Sequence, residues 1–326
     1  MYKSRILLLS IPLYGFGDFI YTVKLLKYLN EWYPDILFEI GTNEFQKYKK
    51  LIKDASLIKI KTKYSVDYIV LDKNGKYKSY DSVFIMPYTQ NETKIYKTVI
   101  KKLFKTNYIF DFNAYNSGYK RDINPGIGKG FDGVFFSDPE PISKRKSNLI
   151  KDKYNLDKFV IVWAAANYDS TNNWVKCIDG FISNIVQKKY TSKFKSVQVM
   201  VPSEYYNLRK GYFQGIELLD LYPIEFQDMQ VLIKESLPEI LTTGDQSIVD
   251  VVNCCNKTKY IYYQIVPWRR SFAKRFYELP HLRNSNTSCN SFHKIHISDK
   301  FKRDNDFRIK GKIKIDKIIS SIYISS

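Results

Sequence analysis

Residues 5–18 read Arg5-Ile-Leu-Leu-Leu-Ser-Ile-Pro-Leu-Tyr-Gly15-Phe-Gly17-Asp18, and a helical pattern follows over 19–33. The apolar run has the length of a buried strand, and it enters a loop that contains two glycines. Glycine tolerates positive φ and lets a ligand approach the backbone closely. The helix that follows offers N–H groups and a partial positive charge at its N-terminus. The stretch therefore predicts a strand–loop–helix unit whose loop, with Gly15 and Gly17, lies against a ligand.

The acid Asp18 stands where this helix is expected to begin. A carboxylate repels a phosphate at close range, so we expect Asp18 to face a neutral group that can give up a proton. Beside a nucleotide site, a carboxylate in such a loop is suited to act as a general base. The sequence therefore predicts Asp18 as a catalytic residue.

Short apolar runs alternate with helical patterns along the whole chain, which is typical of βαβ units and a mainly parallel sheet. In the first half, strands are predicted at 5–10, 37–41, 68–71, 82–86 and 107–110, and helices at 20–32, 44–53 and 93–104. In the second half, strands are predicted at 159–164, 197–201, 215–219, 239–242 and 260–263, and helices at 174–187, 203–210, 226–234, 245–254, 268–277 and 313–322. The predicted fold class is α/β.

The composition changes between residues 113 and 157. This segment is rich in glycine, contains Pro125, and carries Pro139-Glu-Pro141 ahead of the basic Lys144-Arg-Lys146. Such a segment is typical of a connection between domains. A chain of 326 residues has room for two domains of ordinary size, which we predict at 1–140 and 141–326. The stretch 126–130 is expected to be a flexible loop near their junction.

A second informative segment is Leu241-Thr-Thr243-Gly244-Asp245-Gln246-Ser247. A strand is expected to end at Thr242 and a helix to begin near Asp245, with Gly244 in the turn between them. Hydroxyl and carboxylate side chains can cap this helix, and its N–H groups can hold an anion. A well-capped strand–turn–helix explains the segment equally well. Its pairing with the loop from Gly15 to Asp18 in the other half favours a binding site.

At these two segments the chain resembles a known group of enzymes. Gly15-Phe-Gly17-Asp18-Phe-Ile-Tyr-Thr22 resembles the N-terminal motif of heptosyltransferase-like enzymes (glycosyltransferase family 9), in which a glycine–aspartate pair opens the first helix. Thr243-Gly244-Asp245-Gln246-Ser247 is similar to the donor-side turn of that family and to the Gly-Glu-Asp-Ser segment of protein-arginine rhamnosyltransferases. Tyr262-Tyr263-Gln264-Ile265-Val266-Pro267 is similar to the Trp-x-Ile-Tyr-Pro strand of the second group. The intervening chain matches only in pattern.

The resemblance implies a GT-B-like fold, with two Rossmann-like domains whose mainly parallel sheets face a central cleft. Residues 1–140 would form the acceptor domain and 141–326 the nucleotide-sugar donor domain. The implied activity is a glycosyltransferase, of hexosyl or heptosyl type, that moves a sugar from a nucleotide-sugar to an acceptor hydroxyl or amide, with inversion and without a metal. The implied acceptor is a glycan, a lipid-linked molecule or a protein.

The resemblance also assigns roles to residues. Asp18 would be the base, and Thr243, Gly244, Asp245, Gln246 and Ser247 would bind the diphosphate or its sugar. Gln246 stands where the rhamnosyltransferases have a second acid, and the histidine of the heptosyltransferase turn is missing, so the sugar contact differs. Gln264 would lie on the donor side.

Two arginines are also expected at the donor site, because the leaving group is an anion. A departing diphosphate gathers negative charge, which cationic groups stabilise in the transition state. Neither of the two selected segments contains an Asp-x-Asp motif, so neither a metal nor another cofactor is expected at the site. Helix N-termini and basic side chains would then stabilise this charge. Arg269 and Arg270 follow the predicted strand at 260–263 and can grip phosphate through paired hydrogen bonds. A solvated basic helix face is the alternative for them.

The composition indicates the kind of partner and the cellular location to expect. The formal net charge of +19 is spread over both halves of the chain, and such a surface attracts anionic partners. Four cysteines without regular spacing indicate reduced thiols, so a cytoplasmic location is expected. The basic stretches 144–146 and 301–317 would serve for peripheral contact with an anionic membrane, and a solvated surface is the alternative. No apolar run reaches the length of a membrane span.

Two other functions fit the same residues. A sugar-nucleotide epimerase shares the two-domain shape but normally needs further acids or histidines. A non-enzymatic nucleic-acid-binding protein would use the positive charge and the 27 tyrosines as a stacking groove. We see no nucleic-acid-binding signature, and a specific nucleic-acid partner is not expected.

Overall fold

The computed structural model describes residues 4–11, 17–52, 55–65, 68–72, 74–87, 94–113, 115, 121–136, 141–166, 173–254, 259–266, 272, 275, 283–286, 292–296 and 299–324. The chain divides into two compact units. Unit 1 comprises Met1–Phe135 together with Arg303–Ser326, and unit 2 comprises Phe136–Lys302. No helix in the described part of the chain has the length and apolar character needed to cross a bilayer.

Unit 1 is built on a five-stranded parallel sheet with the strand order β3-β2-β1-β6-β7. Its elements up to residue 111 are β1 (Ser4–Ser10), α1 (Gly17–Trp32), β2 (Ile36–Thr42), α2 (Phe45–Leu51), β3 (Ser56–Lys59), β4 (Thr62–Ser65), β5 (Tyr68–Leu71), β6 (Ser82–Ile85), α3 (Lys94–Phe104) and β7 (Tyr108–Asp111). Strands β4 and β5 form a separate antiparallel pair, so the strand predicted at 68–71 exists but lies outside the parallel sheet.

The centre of this sheet is β1, which pairs with β2 on one side and β6 on the other. Leu7, Leu8 and Leu9 are fully buried, because a central parallel strand is covered on both faces by helices. Burying one such side chain contributes about 1.5–3 kcal/mol. The continuous apolar run in the sequence is therefore the signature of the central strand.

Unit 2 repeats the same strand order and extends it. Its sheet runs β10-β9-β8-β11-β12-β14-β13, with the first five strands parallel and the last two antiparallel. Its elements are α4 (Lys144–Lys153), β8 (Phe159–Trp163), α5 (Asn173–Phe181), a π-helical turn (Ile182–Gln187), α6 (Lys188–Tyr190), β9 (Val197–Met200), α7 (Ser203–Arg209), β10 (Ile216–Leu219), α8 (Phe226–Glu235), β11 (Glu239–Thr242), α9 (Asp245–Cys254), β12 (Tyr260–Gln264), β13 (Arg283–Asn286) and β14 (Phe292–His296).

Two helices follow, α10 (Asp299–Asp304) and α11 (Phe307–Ile324), and α11 belongs to unit 1. Two backbone hydrogen bonds attach this end of the chain, from Val134 N to Asn305 O at 2.7 Å and from Phe307 N to Val134 O at 3.1 Å. Farther along α11, Asp316 accepts a hydrogen bond from Tyr33 at 2.5 Å. These contacts differ from the prediction, in which every residue after 140 belonged to the second domain.

The stretch 126–130, expected to be flexible, is part of a hydrogen-bonded loop. Gly126 N donates to Gly133 O at 2.8 Å, and Gly128 N donates to the Asn305 side chain at 2.8 Å. Gly133 adopts φ of +89°, and a Cβ there would lie 2.6 Å from Phe307 N. The loop is therefore a docking surface for the start of α11.

The predicted fold class is confirmed: the chain is α/β, with two Rossmann-like units built on mainly parallel sheets. The helix predicted at 268–277 falls almost wholly outside the described residues. The central cleft stays a prediction.

Candidate functional site

In both units the sheet has a topological switch point, where the chain order of the strands reverses. Counted within each sheet, both orders begin 3-2-1-4-5, so the first and fourth strands are neighbours. These neighbours are β1 and β6 in unit 1, and β8 and β11 in unit 2. In open parallel sheets, ligands bind outside the carboxyl ends of the strands at this point. The loops that leave β1 and β11 are the two segments singled out from the sequence.

In unit 2 the loop after β11 is a tight turn into α9. Thr242 ends the strand, Asp245 begins the helix, and Gly244 lies between them with φ of +81°. A Cβ on Gly244 would have its nearest contact at 3.6 Å, with Ser247 Oγ. Glycine is therefore favoured here by the backbone conformation and not by crowding. The predicted strand and helix bounds at this turn are the observed ones.

The Ser247 hydroxyl braces the turn from inside. It donates towards the carbonyls of Thr243 and Gly244, with a distance of 3.1 Å to the Gly244 oxygen. It also accepts a hydrogen bond from Thr242 Oγ1 at 2.8 Å. Sequence reasoning missed Thr242, which is fully buried. Ser247 therefore holds the backbone of the turn, and its hydroxyl is used within the protein.

Gln264, at the end of β12, ties three strand ends together. Its Oε1 accepts a hydrogen bond from Ala165 N at 2.8 Å, and its Nε2 donates to Ala165 O at 3.4 Å. Thr243 Oγ1 donates to the Gln264 carbonyl at 3.0 Å, and Thr243 N donates to Trp163 O at 2.9 Å. The loop after β8, the turn after β11 and the end of β12 thus form one hydrogen-bonded layer.

Helix α9 is buried at all ten of its positions, although it carries several polar side chains. Gln246 Nε2 donates to Asp250 Oδ1 at 3.0 Å, and Asp250 is 2% exposed. Asp245 is 6% exposed. A buried helix that begins with polar groups at a switch point is suited to hold an anion at its N-terminus. The i, i+4 spacing of Gln246 and Asp250 is the signal that could have indicated their pairing.

In unit 1 the structure describes only part of the predicted loop. Gly17 opens α1 and Asp18 is its second residue, so the acid lies in the first helical turn as predicted. The side chain of Asp18 lies outside the described part, as do Gly15 of the loop and Arg269 and Arg270 of the other predicted site.

The start of α1 is held by a buried polar network. Ser10, at the carboxyl end of β1, shares a hydrogen bond with Tyr48 OH at 2.7 Å and lies 3.4 Å from the Thr22 hydroxyl that donates to it. The Phe19 ring packs against the Tyr48 ring with centroids 4.9 Å apart. Phe19 follows Asp18 directly, so these contacts fix the helical turn that carries the acid.

No protein-family profile matches the chain, and no curated protein matches it significantly in sequence. Among solved structures, it is similar to a glycosyltransferase from Rickettsia africae ESF-5, with 12% identity over 80% of this chain and 79% of that one and a TM-score of 0.48. It is similar to a UDP-GlcNAc 2-epimerase from Methanocaldococcus jannaschii, with 11% identity over 77% of this chain and 81% of that one and a TM-score of 0.42. It is also similar to a glycosyl transferase of family 9 from Veillonella parvula DSM 2008, with 9% identity over 100% of this chain and 99% of that one and a TM-score of 0.42. The family named from the two sequence motifs is thus present among the structures that this chain resembles.

Proposed function

We propose that this chain is a glycosyltransferase that moves a hexosyl or heptosyl group from a nucleotide-sugar to an acceptor hydroxyl or amide. One observation carries the proposal. The two segments selected from the sequence, one with a candidate base and one with a candidate phosphate-binding turn, both leave their sheets at topological switch points. Ligands bind at such points in open parallel sheets.

On the donor side, the leaving diphosphate would lie at the N-terminus of α9. The turn places Gly244, without a side chain, between the strand and the helix, so an anion can approach the backbone. Asp245 and Gln246 would contact the sugar. Thr243, Ser247 and Gln264 are assigned as positioning residues, because the first two side chains hold the turn and the Gln264 side chain holds the adjoining loop after β8. Arg269 and Arg270 would neutralise the diphosphate without a metal.

On the acceptor side, Asp18 would take the proton from the attacking hydroxyl or amide group. The acceptor atom forms a bond to the anomeric carbon while the bond from that carbon to the diphosphate oxygen breaks. The nucleoside diphosphate leaves with the bonding electrons, and the proton stays on Asp18 until it passes to solvent. Attack from the face opposite the leaving group inverts the anomeric centre.

Peripheral contact with an anionic membrane on the cytoplasmic side is part of the proposal, since it would suit a lipid-linked acceptor. Lys144, Arg145 and Lys146 form the exposed first turn of α4. On α11, Ile309 and Ile313 are 56% and 58% exposed at i, i+4 spacing. Basic side chains attract anionic headgroups, and exposed apolar side chains can enter the headgroup region.

The first experiment identifies the donor. The melting temperature is measured with UDP-, GDP-, dTDP-, ADP- and CMP-linked sugars, and the sugar nucleotide that binds raises it. With the donor that binds, Asp18→Asn and Asp18→Ala should bind as the wild type does and lose at least a hundredfold in transfer rate. Gly244→Val should instead weaken donor binding. Full turnover in both Asp18 variants would refute the base assignment.

The same assay separates the alternatives. Release of an epimerised nucleotide-sugar without an acceptor would indicate an epimerase. Binding of single-stranded nucleic acid with a steep salt dependence, and of no nucleotide-sugar, would indicate the nucleic-acid-binding function.

A further inference from the structure

Unit 2 has an open pocket at the amino ends of its strands, whereas the turn after β11 lies at their carboxyl ends. Its volume is about 350 Å³, and it lies at the amino ends of β11 and β12, which begin with Glu239 and Tyr260. Three lysines line it, namely Lys188, Lys189 and Lys294. None of these residues belongs to the donor site proposed above. The volume is at the lower end of the range for small-molecule sites.

Positive charges outnumber negative ones among the described residues that line this pocket. Glu239 is the acid among them; it is 1% exposed and accepts hydrogen bonds from Lys189 Nζ and Tyr190 OH. Lys188 and Lys294 have no carboxylate partner among the residues that the structure describes. Burial, then Glu239 and Tyr260, raise the pKa of Tyr262 to about 12, so this tyrosine adds no negative charge. Among the described lining residues, three ammonium groups against one carboxylate leave a formal charge of +2.

An aromatic ring holds two of these ammonium groups in place. Lys294 Nζ lies 3.9 Å from the centroid of the Tyr260 ring, and Lys189 Nζ lies 4.8 Å from it. Attraction between an ammonium group and a ring face restrains side chains that would otherwise extend into water. Cations restrained before a ligand arrives cost less entropy when it binds. Lys294, which has no carboxylate partner among the described residues, is therefore preorganised for an anion.

An irregular stretch of helix also lines the pocket. Between α5 and α6 the backbone forms the six-residue π-helical turn 182–187, and Asn184 and Ile185 of this turn line the pocket. Lys188 follows the turn directly, and its Nζ donates to Asn184 Oδ1 at 3.2 Å. A π-helical turn is wider than an α-helical one, so it changes the direction in which the following side chains point, and such turns are frequent at functional sites.

We propose that this pocket binds a phosphate group carried by a small molecule, at a second site that is independent of sugar transfer. The ligand group would sit between Lys188 and Lys294, with the Glu239–Lys189 pair beneath it. A strongly hydrated ammonium pairs with phosphate as a point charge, and every cation among the described lining residues is a lysine.

The experiment measures binding of inorganic phosphate and pyrophosphate to the full chain by calorimetry, at constant ionic strength set with sodium chloride. The variant Lys188→Gln/Lys294→Gln should bind at least tenfold more weakly. The control Lys176→Gln/Lys234→Gln removes the same charge from two exposed lysines of unit 2 that do not line the pocket, and it should bind as the wild type does. Lys294→Arg should retain binding.

Each outcome decides the proposal. Equal loss in the control pair would mean that net charge alone attracts the anion, and no measurable binding by the wild type would refute the site. Phosphate binding that survives Lys188→Gln/Lys294→Gln but disappears in Gly244→Val would place the anion at α9 and also refute it. Vesicles of phosphatidic acid in phosphatidylcholine form the last arm. Binding to them that depends on Lys294 would show a lipid headgroup as the source, and binding only to soluble phosphate would show a free metabolite.

Discussion

The Gln264 carboxamide accepts a hydrogen bond from the Ala165 amide at 2.8 Å, and so links β12 to the loop after β8 across the end of β11. These two residues are 99 positions apart in the chain. Gln264 is fully buried, so both of its functional groups must be satisfied within the protein. The turn at Gly244 is bonded to the same residue, because Thr243 Oγ1 donates a hydrogen bond to the Gln264 backbone carbonyl at 3.0 Å.

Replacement of Gln264 should reveal this dependence. Gln264→Leu leaves the Ala165 amide without its partner and should lower the free energy of unfolding by about 1–3 kcal/mol. It should also raise KM for the donor more than it lowers kcat, because it loosens the layer of strand ends to which the turn is bonded and leaves Asp18 unchanged. Urea unfolding and steady-state kinetics are the measurements. Gln227→Leu, at an exposed position of α8, should change stability by less than about 0.5 kcal/mol. Equal effects of the two substitutions would contradict the assignment.

Two glycines of one loop should respond differently to the same substitution. Gly130 and Gly133 have φ of +85° and +89°, but only at Gly133 would a Cβ meet backbone, 2.6 Å from Phe307 N. Gly130→Ala should cost about 1–2 kcal/mol, from conformation alone. Gly133→Ala should cost about 2–5 kcal/mol, because overpacking against α11 is added. Thermal unfolding followed by circular dichroism compares them, and similar losses would show that α11 does not dock on this loop.

Two buried tyrosines of α1 and α2 form a second contrast. Tyr48 OH is hydrogen-bonded to Ser10 Oγ at 2.7 Å, so Tyr48→Phe should lower the free energy of unfolding by about 1–3 kcal/mol. Tyr21 OH is buried and makes no hydrogen bond with the part of the chain that the structure describes. Burial, then Tyr115 and Asp132, raise the pKa of Tyr21 well above its ordinary value. Tyr21→Phe should therefore be neutral or slightly stabilising. Chemical denaturation measures the free energy of unfolding of both variants. A larger decrease for Tyr21→Phe than for Tyr48→Phe would contradict these assignments.

The attachment of α11 should depend on pH. Burial tends to raise the pKa of the Asp316 carboxyl, but hydrogen bonds from Tyr33 and Lys312 outweigh it and leave this pKa below its ordinary value. A carboxyl with a lowered folded-state pKa stabilises the fold above its unfolded-state pKa, and that contribution is lost as the pH falls through the folded-state value. Asp316 is half-exposed, so solvent screening keeps the contribution small, at about 0.2–1 kcal/mol.

Asp316→Asn should accordingly lower stability at pH 7, and the difference from the wild type should shrink as the pH falls below about 4. Urea unfolding between pH 7 and pH 3 measures it. Asp157→Asn is a matched control, since Asp157 is a well-exposed acid whose neighbour Lys158 lies 3.5 Å away. A difference that persists unchanged at pH 3 would show that the Asp316 charge is not its source.

The sequence predicted those parts of the molecule that local patterns control. The bounds of β11 and α9 follow from a short apolar run, a glycine and a polar helix start, and all of these are local. In contrast, β13 reads Arg-Asn-Ser-Asn and has no apolar alternation, because it is the last strand of its sheet. The turn between β11 and α9 was predicted, but the hydrogen bonds of Ser247 and Gln264 were not. Their hydrogen bonds depend on which strands become neighbours, and that order is not written in any local pattern.

The return of α11 to unit 1 bears on synthesis. Residues 136–302 are inserted within unit 1. Unit 1 also needs Arg303–Ser326, because α11 docks on the loop at Gly133. A ribosome that makes this chain from its N-terminus therefore releases all of unit 2 before unit 1 can finish folding. The sheet of unit 1 therefore stays partly uncovered until α11 is made. During that time its exposed apolar surface can associate wrongly or be bound by a chaperone.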